Sequence, residues 1–261
     1  MPDIIPDKPE ENGWKLHQVY DTRSPGIYEF SVDQPTWVRV TVVGKSADGT
    51  AGSDGGDDRD YESGGYGGNG GASGGIARRS ILVMPDNPIT VTINSSLVSF
   101  GEYLTATAAT SWNAVGTVSG GEDFNLNGNR GGTGGSGGYE GRHPKPGNPG
   151  EASPGGTPTE GGIAGGLYRQ GGGSGGGGQV PMPWEGYPGP PTIVRAGNGV
   201  YGSSERYQTA RPGENASFSV TESEVIVSGG GGGGGGGPWQ GSGGAAGAGC
   251  PGAIIIETAA S

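Results

Sequence analysis

The chain of 261 residues is poor in the residues that mark several common classes of protein. It has a single cysteine, Cys250, which excludes a framework of intramolecular disulfides. Its two histidines, His17 and His143, lie far apart, and no spacing is typical of a zinc site or of a nucleophile with its base. No stretch approaches the roughly twenty apolar residues of a membrane-spanning helix. We therefore expect no enzymatic activity, no catalytic metal site, no cofactor and no membrane insertion.

Basic residues are also scarce. Lysine and arginine together number 15 against 26 aspartates and glutamates, which gives a net charge of −11. Nucleic acids and anionic membrane surfaces repel such a chain, so we expect neither as a partner. The opening "MPDIIPDKPEENG" lacks the layout of a signal peptide. We expect the protein to be made in a cytoplasm and to leave it only within a larger particle.

Glycine is the residue that the chain has most of. The sequence contains 63 glycines and 20 prolines, a level at which collagen or disorder is the usual explanation. The strict Gly-X-Y period of collagen is absent. Five tryptophans and several β-patterned stretches, spread from end to end, argue against disorder. The composition therefore predicts a folded protein with unusual glycine-rich parts.

Alternation of apolar and polar residues predicts an all-β framework. The clearest strands are predicted at residues 26–32, 36–44, 76–84 and 89–94, and a last one in "GAIIIE" at residues 252–257. No stretch has a convincing helical period. Three glycine-rich insertions interrupt the framework.

Two parts of the chain are predicted from this layout. Residues 22–261 form a glycine-rich β domain. Residues 1–21 precede the first clear strand, are rich in proline and charge, and also carry Trp14 and Tyr20. Such a segment can order on binding, so we interpret residues 1–21 as an attachment arm.

The nine consecutive glycines Gly229–Gly237 are pinned by predicted strands on both sides. Glycine segments held in this way can adopt an extended helix with about three residues per turn, as in polyproline II. Because glycine has no Cβ, several such helices can pack side by side and hydrogen-bond laterally. We therefore predict that the glycine-rich insertions form a bundle of polyglycine II helices.

The order of strands and glycine-rich stretches also resembles a known family. The elements that carry the resemblance are "TWVRVTVVG", "ILVMPDNPITVTIN", "SFG", "LTATAAT", "SGGEDFNLNGNRGGTGGSGG" and the closing "GAAGAGCPGAIIIE" after the nine glycines. In this order they are similar to the glycine-rich domain of bacteriophage tail proteins, over about residues 26–257. One departure is the stretch "KSADGTAGSDGGDDRDYESGG", where the family often has polyglycine, and we expect this insertion to be less regular.

The resemblance implies a fold and a place of action. It implies a jelly-roll-like β-sandwich, similar to that of tumour necrosis factor, that carries the polyglycine II helices. It further implies a virion protein of the phage tail tip or tail fibre, made in the host cytoplasm. The expected partners are other virion tail proteins and a protein or glycan receptor on the host cell, and the expected assembly is a homotrimer.

The departing stretch is strongly acidic. Its carboxylates are Asp48, Asp54, Asp57, Asp58, Asp60 and Glu62, offset only by Arg59. Hard cations such as calcium prefer several oxygen ligands of this kind. The simpler interpretation is a solvated loop, and residues 48–62 leave both open.

Two loops hold the densest mixture of tyrosine, tryptophan and arginine, the residues preferred as anchors in binding surfaces. They are residues 179–191 and 199–213. The predicted receptor-binding residues are Trp184, Tyr187, Tyr201, Arg206, Tyr207 and Arg211. Alternatively, the aromatic rings close the ends of the glycine bundle. A purely structural virion component and a glycan-processing enzyme are the alternatives to receptor binding.

Overall fold

The structure of the protein is a computed structural model. It describes residues 5–10, 13–58, 61–63, 65–134, 139–140, 192–196, 212–213, 215–216, 218–220, 225–229 and 242–259. These residues contain no helix, which confirms the predicted all-β class.

Sixteen strands are present in the described residues. In chain order they are β1 (Trp14–Asp21), β2 (Gly26–Phe30), β3 (Thr36–Val43), β4 (Gly56–Asp58), β5 (Tyr61–Ser63), β6 (Ile76–Val83), β7 (Ile89–Ile93), β8 (Leu97–Phe100), β9 (Leu104–Thr107), β10 (Val118–Ser119), β11 (Phe124–Leu126), β12 (Tyr139–Glu140), β13 (Thr192–Ala196), β14 (Phe218–Val220), β15 (Val225–Gly229) and β16 (Ala253–Ala259).

Two antiparallel sheets of five strands form the main framework. Sheet I has the order β1-β16-β3-β6-β11, and sheet II has the order β10-β9-β8-β7-β2. Two smaller sheets lie in the glycine-rich part of the chain. Sheet III has the order β12-β5-β4, and sheet IV has the order β13-β15-β14 with β13 parallel to β15.

The hydrophobic core lies between sheets I and II, as in a β-sandwich. Val38, Val40 and Val42 of β3 point into it and are fully buried, as the alternation in the sequence predicts. Sheet II contributes Phe30 and Phe100, whose ring centroids are 5.6 Å apart. The inner faces of the two sheets thus share one continuous apolar cluster.

The first strand lies earlier in the chain than the sequence predicts. The first clear strand was predicted at Gly26, whereas Trp14–Asp21 forms β1 at the edge of sheet I and pairs antiparallel with β16. The register shifts between Leu16 and Gln18, so the alternation of side chains is broken inside the strand. The attachment role of residues 1–21 stays a prediction, but part of that arm lies within the sheet.

Five glycine-rich segments lie outside the regular strands. Segment 1 (residues 44–54) follows β3, segment 2 (residues 65–75) precedes β6, and segment 3 (residues 127–134) follows β11. Segment 4 comprises residues 212–213 and 215–216 before β14, and segment 5 (residues 242–252) leads into β16.

Four of these segments meet sheet I at the same end. Val43 is paired with both Ala253 and Ile76, and Ile76 is paired with Leu126, so these four residues form one row across the sheet. Segments 5, 1, 2 and 3 begin or end directly beyond that row. The sheet therefore holds the segments side by side at their base.

Candidate functional site

The six predicted receptor-binding residues lie outside the described residues. They are Trp184, Tyr187, Tyr201, Arg206, Tyr207 and Arg211. Of the nine-glycine run only Gly229 is described, as the last residue of β15. The structure describes instead the strands and glycine-rich segments next to the two loops in the sequence, which we call the frame.

Both loops border on this frame. β13 begins at Thr192, directly after the loop of residues 179–191. The loop of residues 199–213 ends in segment 4, where the amide of Gly213 donates to the carbonyl of Ala245 at 2.8 Å. Three residues on, the amide of Ala216 donates to the carbonyl of Ala248, also at 2.8 Å. The end of the second loop is thereby tied to segment 5.

Segment 4 is also fixed to the outer face of sheet I. Ala216 and Phe218 pack against the apolar cluster of Val43, Ile76, Cys250 and Ile255. The guanidinium carbon of Arg23 lies 5.1 Å from the centroid of the Phe218 ring.

Segments 1 and 2 are joined by backbone hydrogen bonds at every third residue. The amides of segment 1 donate to carbonyls of segment 2 at 2.8–2.9 Å, in the antiparallel series Gly44 to Gly75, Ala47 to Ala72, Thr50 to Asn69 and Ser53 to Tyr66. A β-ladder repeats every second residue, so this is a different arrangement. The acidic stretch was expected to be less regular than polyglycine. Its residues 45–53 follow the three-residue series, whereas Gly56–Asp58 and Tyr61–Ser63 of the same stretch form β4 and β5.

The same spacing recurs between the other segments. A second series of amides in segment 1 donates to segment 5 at 2.9–3.0 Å: Ser46 to Cys250, Gly49 to Gly247 and Gly52 to Gly244. Segment 2 donates to segment 3 through Gly70 to Gly132 and Ser73 to Asn129, at 3.0 and 2.9 Å. Burial in segment 5 follows the same period, since residues 244, 247 and 250 are buried while 242, 245 and 248 are exposed.

Packing at these contacts leaves no room for a side chain. A Cβ on Gly68 would lie 1.9 Å from the carbonyl oxygen of Thr50, and one on Gly71 would lie 2.0 Å from that of Ala47. Segment 3 meets segment 2 in the same way, with Gly131 against the carbonyl of Gly70. The glycines at every third position are therefore required by the close approach of neighbouring backbones.

Two residues of the predicted acidic loop hold segment 5 in place. Oδ1 of Asp48 accepts from the amide of Gly249 at 2.7 Å, and Oδ1 of Asp54 accepts from the amide of Gly243 at 2.8 Å. Both side chains are exposed, as expected of a solvated loop, but each carboxylate also satisfies a backbone donor. In the described residues no group of three or more His, Cys, Asp or Glu side chains could hold a metal ion.

Short polar side chains play the same part elsewhere in the segments. The hydroxyl of Thr50 accepts from the amide of Asn69 at 2.7 Å, while the amide of Thr50 donates to the carbonyl of Asn69. Ser53 and Tyr66 repeat this reciprocal pair one period further along. The side-chain oxygens of Asn69 and Asn215 accept from the amides of Gly134 and Ala248.

Sheet III places three acidic residues in one register row. Asp57 of β4 is opposite Glu62 of β5, and Glu62 is opposite Glu140 of β12. The acidic stretch suggested the first two; Glu140 comes from an insertion far along the chain and could not be assigned to this row from the sequence.

The outer face of sheet I carries buried charges. Arg39 of β3 donates to both carboxylate oxygens of Glu257 of β16, at 2.8 and 2.6 Å, and the pair is buried. The ring of Trp14 lies 5.2 Å from the guanidinium carbon of Arg39. Arg78 donates to the hydroxyl of Thr41 at 2.9 Å and lies 5.1 Å from the Phe124 ring.

Trp37 lies further along the same face, at the end of β3 away from the glycine segments. Its indole Nε1 donates to the carbonyl of Pro6 at 3.0 Å. The Lys8 ammonium is 5.8 Å from the centroid of its ring. Residues 5–10 therefore fold back over Trp37.

Two side chains near the turn between β1 and β2, Asp21 and Tyr20, have shifted pKa values. Arg23 donates to both oxygens of Asp21 and holds the pKa of that carboxyl below its usual value, chiefly through the side-chain hydrogen bond. Burial, with a smaller effect of Tyr28, raises the pKa of the Tyr20 hydroxyl. The rings of Tyr20 and Tyr28 are 4.9 Å apart and bridge the edges of sheets I and II.

Comparison with known proteins assigns no family. The sequence matches no protein-family model, and no curated protein is significantly similar to it. In the described part of the chain, no helix is long and apolar enough to span a membrane. The arrangement that is distinctive of this chain is thus the set of glycine-rich segments held at one end of the sandwich.

Proposed function

We propose that the chain is a virion structural protein of a bacteriophage tail tip or tail fibre, and that its loops bind a receptor on the host cell. The observation that carries this proposal is the hydrogen bonding at every third residue between segments that rise from one end of sheet I. Such a frame carries mostly glycines and short side chains, and several of these side chains already accept backbone amides. Recognition then belongs to the loops that interrupt it.

The segments are helices of the polyglycine II type in this proposal, and the sandwich is jelly-roll-like. The three-residue period, the extended backbone without β-ladders and the exclusion of a Cβ at every third position support the helices. For the nine-glycine run we propose the same packing beyond Gly229, which ends β15; the rest of the run lies outside the described residues. The strand order of sheet I, in which all neighbouring strands are distant in sequence, supports the jelly-roll topology; in sheet II only the neighbours β7 and β2 are distant, and β7 to β10 follow one another along the chain.

The receptor-binding surface consists of residues 179–191 and 199–213, with Trp184 and Tyr187 as its main anchors. Support comes from the borders of these loops, since Thr192 enters sheet IV and Gly213 is bonded to segment 5. Each loop is thus anchored at one described border, and an anchored loop loses less conformational entropy on binding than a free one. The protein assembles with other tail proteins as a homotrimer, carries no cofactor and is not an enzyme.

The test is binding of purified protein to host cells. The double variant Trp184→Ala/Tyr187→Ala should lose roughly thirtyfold in affinity, because a buried aromatic anchor contributes about 2 kcal/mol. Tyr66→Ala is the matched control: Tyr66 is 66% exposed and lies in segment 2, outside both loops. Its removal should leave binding unchanged, and neither variant should alter the melting temperature.

The outcomes separate the alternatives. If the wild-type protein binds no host cell although it is found in the tail, the purely structural function holds. If the double variant loses binding together with cooperative melting, the rings are packing residues. Release of reducing sugar from host glycan would establish the enzyme.

A further inference from the structure

Trp37 makes a contact that the sandwich does not require. Its indole N–H donates to the backbone carbonyl of Pro6 at 3.0 Å, and Lys8 is placed over its ring at 5.8 Å. Trp37 is only half-buried although its neighbours Val38 and Arg39 on β3 are buried. The contact is thus a surface site with a peptide segment on it.

The segment on Trp37 has the chemistry of a ligand for such a site. Residues 5–10 read Ile-Pro-Asp-Lys-Pro-Glu, with two prolines that fix the backbone angle φ. Proline-containing extended segments are commonly bound on aromatic surfaces, where the preformed backbone lowers the entropic cost of binding. A tryptophan suits this purpose because its ring contacts the proline while its N–H bonds a carbonyl.

The hold on residues 5–10 is weak compared with that on β1. Pro6, Asp7, Lys8 and Glu10 are exposed, and Ile5 leaves 62% of its surface uncovered. The contacts with Trp37 are one hydrogen bond and one cation–π contact at the surface. β1, in contrast, is paired with β16 from Trp14 to Asp21. Residues 5–10 can therefore leave Trp37 without disturbing sheet I.

We propose that Trp37 is a docking site for an extended proline-containing segment, and that its occupant in an assembly is residues 5–10 of a second copy of this chain. The segment makes identical contacts within one chain or between two, so an exchange costs little in contacts. The turn in which Gly13 donates to the carbonyl of Glu10 at 2.8 Å is the place where the segment would swing out. Ile5, uncovered in the single chain, then becomes available to the neighbour.

The inference rests on the proposed function only in that a multi-copy assembly raises the local concentration of the segment. The site itself is independent of any receptor. It also gives the attachment arm a defined receiving surface, on the opposite end of β3 from the glycine segments.

The first experiment asks whether the site takes the segment from outside. In the full chain with Pro6→Gly and Pro9→Gly, the chain's own residues 5–10 should bind Trp37 more weakly and leave the site open. A synthetic peptide of residues 2–12 is titrated into it while the Trp37 indole N–H is followed by NMR. We expect saturable binding at least tenfold tighter than to the wild-type chain, whose own segment competes. Adding Trp37→Phe, which keeps a ring but removes the donor, should abolish binding. Because this variant has no indole signal, its binding is measured by isothermal titration calorimetry, alongside the variant that retains Trp37.

Two controls accompany the titration. The peptide carrying the same two proline substitutions should bind at least tenfold more weakly. The melting temperature of each chain variant should equal that of the wild type, which shows that the sandwich is intact. Pro6, Pro9 and Trp37 all lie outside the buried core. No shift of the Trp37 signal with the native peptide on a folded variant would overturn the docking site.

The second experiment asks whether the occupant is another copy. Isotopically heavy and light full-length chains, each with a photoreactive residue in place of Lys8, are mixed and irradiated at rising concentration. Cross-links from the heavy segment to the light peptide that contains Trp37 should increase with concentration. Cross-links confined to single chains at every concentration would overturn the exchange between copies.

The two proposals fail separately. Loss of inter-copy cross-links in Trp37→Phe with wild-type binding to host cells would concern the docking site alone. Loss of host-cell binding in the loop variant with cross-links retained would concern the receptor surface alone.

Discussion

The sandwich and the glycine-rich segments are held together by opposite parts of the chain. Between sheets I and II, side chains such as Val40 and Phe100 fill the space and are fully buried. Between segments 1 and 2, backbone meets backbone, and a Cβ on Gly71 would lie 2.0 Å from the carbonyl oxygen of Ala47. The first region gains stability from apolar side chains, and the second gains it by excluding them.

The two regions therefore require different sequence patterns. A strand in the sandwich repeats every second residue, whereas the segments repeat every third. In the sandwich polar side chains are placed outside the core. In the segments short polar side chains such as Asp48 and Thr50 are part of the frame, because their oxygens accept backbone amides. Polar residues therefore have different structural roles in the two regions.

The largest effect is expected in the sandwich. Phe100→Ala removes a fully buried ring that packs on Phe30, and should lower the free energy of unfolding by about 4 kcal/mol. Chemical denaturation measures it. Ile27→Ala is the control, because Ile27 is exposed on β2. If Phe100→Ala costs no more than Ile27→Ala, the core between the sheets is not what holds this region.

The addition of one methyl group should be nearly as harmful in the segments. Gly71→Ala places a Cβ against the carbonyl of Ala47 and forces segments 1 and 2 apart. We expect the protection of the Ala47 and Thr50 amides against hydrogen exchange to fall by about 3 kcal/mol.

Ala51→Ser is the matched control for this change. It also adds one heavy atom, but at an exposed position of segment 1. Its exchange protection should match that of the wild type. Equal protection in both variants would mean that the segments are not closely packed.

Removal of one carboxylate should have a smaller effect. Asp48→Ala leaves the amide of Gly249 without its acceptor and should cost about 1 kcal/mol, since the site is exposed to water. Asp48→Asn keeps Oδ1 and should recover most of that loss. Thermal melting of the Asp48→Ala and Asp48→Asn variants measures the two effects. If the asparagine variant is as unstable as the alanine variant, the negative charge of Asp48 stabilises the segments and the hydrogen bond does not.

The sequence predicted the sandwich better than the segments. The valines of β3 alternate with other residues, and β16 begins with a continuous apolar run. Both patterns are typical of a buried strand. β1 was missed because its register shift between Leu16 and Gln18 hides the alternation. The position of Asp48 and Asp54 in the acidic stretch was plain, but their acceptor role was not, because Gly249 and Gly243 are about two hundred residues away.

The predicted receptor-binding residues follow from composition alone. Trp184 and Tyr187 were chosen because proline and aromatic residues cluster there, and they lie outside the described residues. Their contacts depend on where neighbouring insertions pass, which a single sequence does not specify. The hydrogen bond from Trp37 to the carbonyl of Pro6 was equally hidden, because nothing in the sequence indicates that residues 5–10 return to β3.

The smallest predicted effect concerns acid. The folded-state pKa of Asp21 lies below its ordinary value of 3.8 because Arg23 bonds the ionised carboxylate. The stability that this contributes is complete above the ordinary value and is lost as the pH falls through the lower folded value. The Arg23 side chain is 65% exposed, so solvent screens the pair and Asp21→Asn should cost less than about 0.5 kcal/mol at pH 7.

Melting of the wild type and Asp21→Asn between pH 7 and pH 2 tests this. The two curves should converge at the acid end, where the carboxyl is neutral in the wild type as well. A difference that grows as the pH falls would contradict the assignment.

The three-residue repeat restricts how these segments can change in length during evolution. In the proposed threefold helices each residue turns the chain by about 120°, so the insertion of a single residue in segment 1 would rotate every later glycine off its neighbour. Segments 1 and 2 are the two legs of one excursion and pair in opposite directions. An insertion of three residues in each leg restores the contacts between segments 1 and 2, whereas an insertion of one or two residues breaks all the contacts beyond it. Homologous chains should therefore differ in these excursions by whole triplets in each leg, while the surface loops vary by any number.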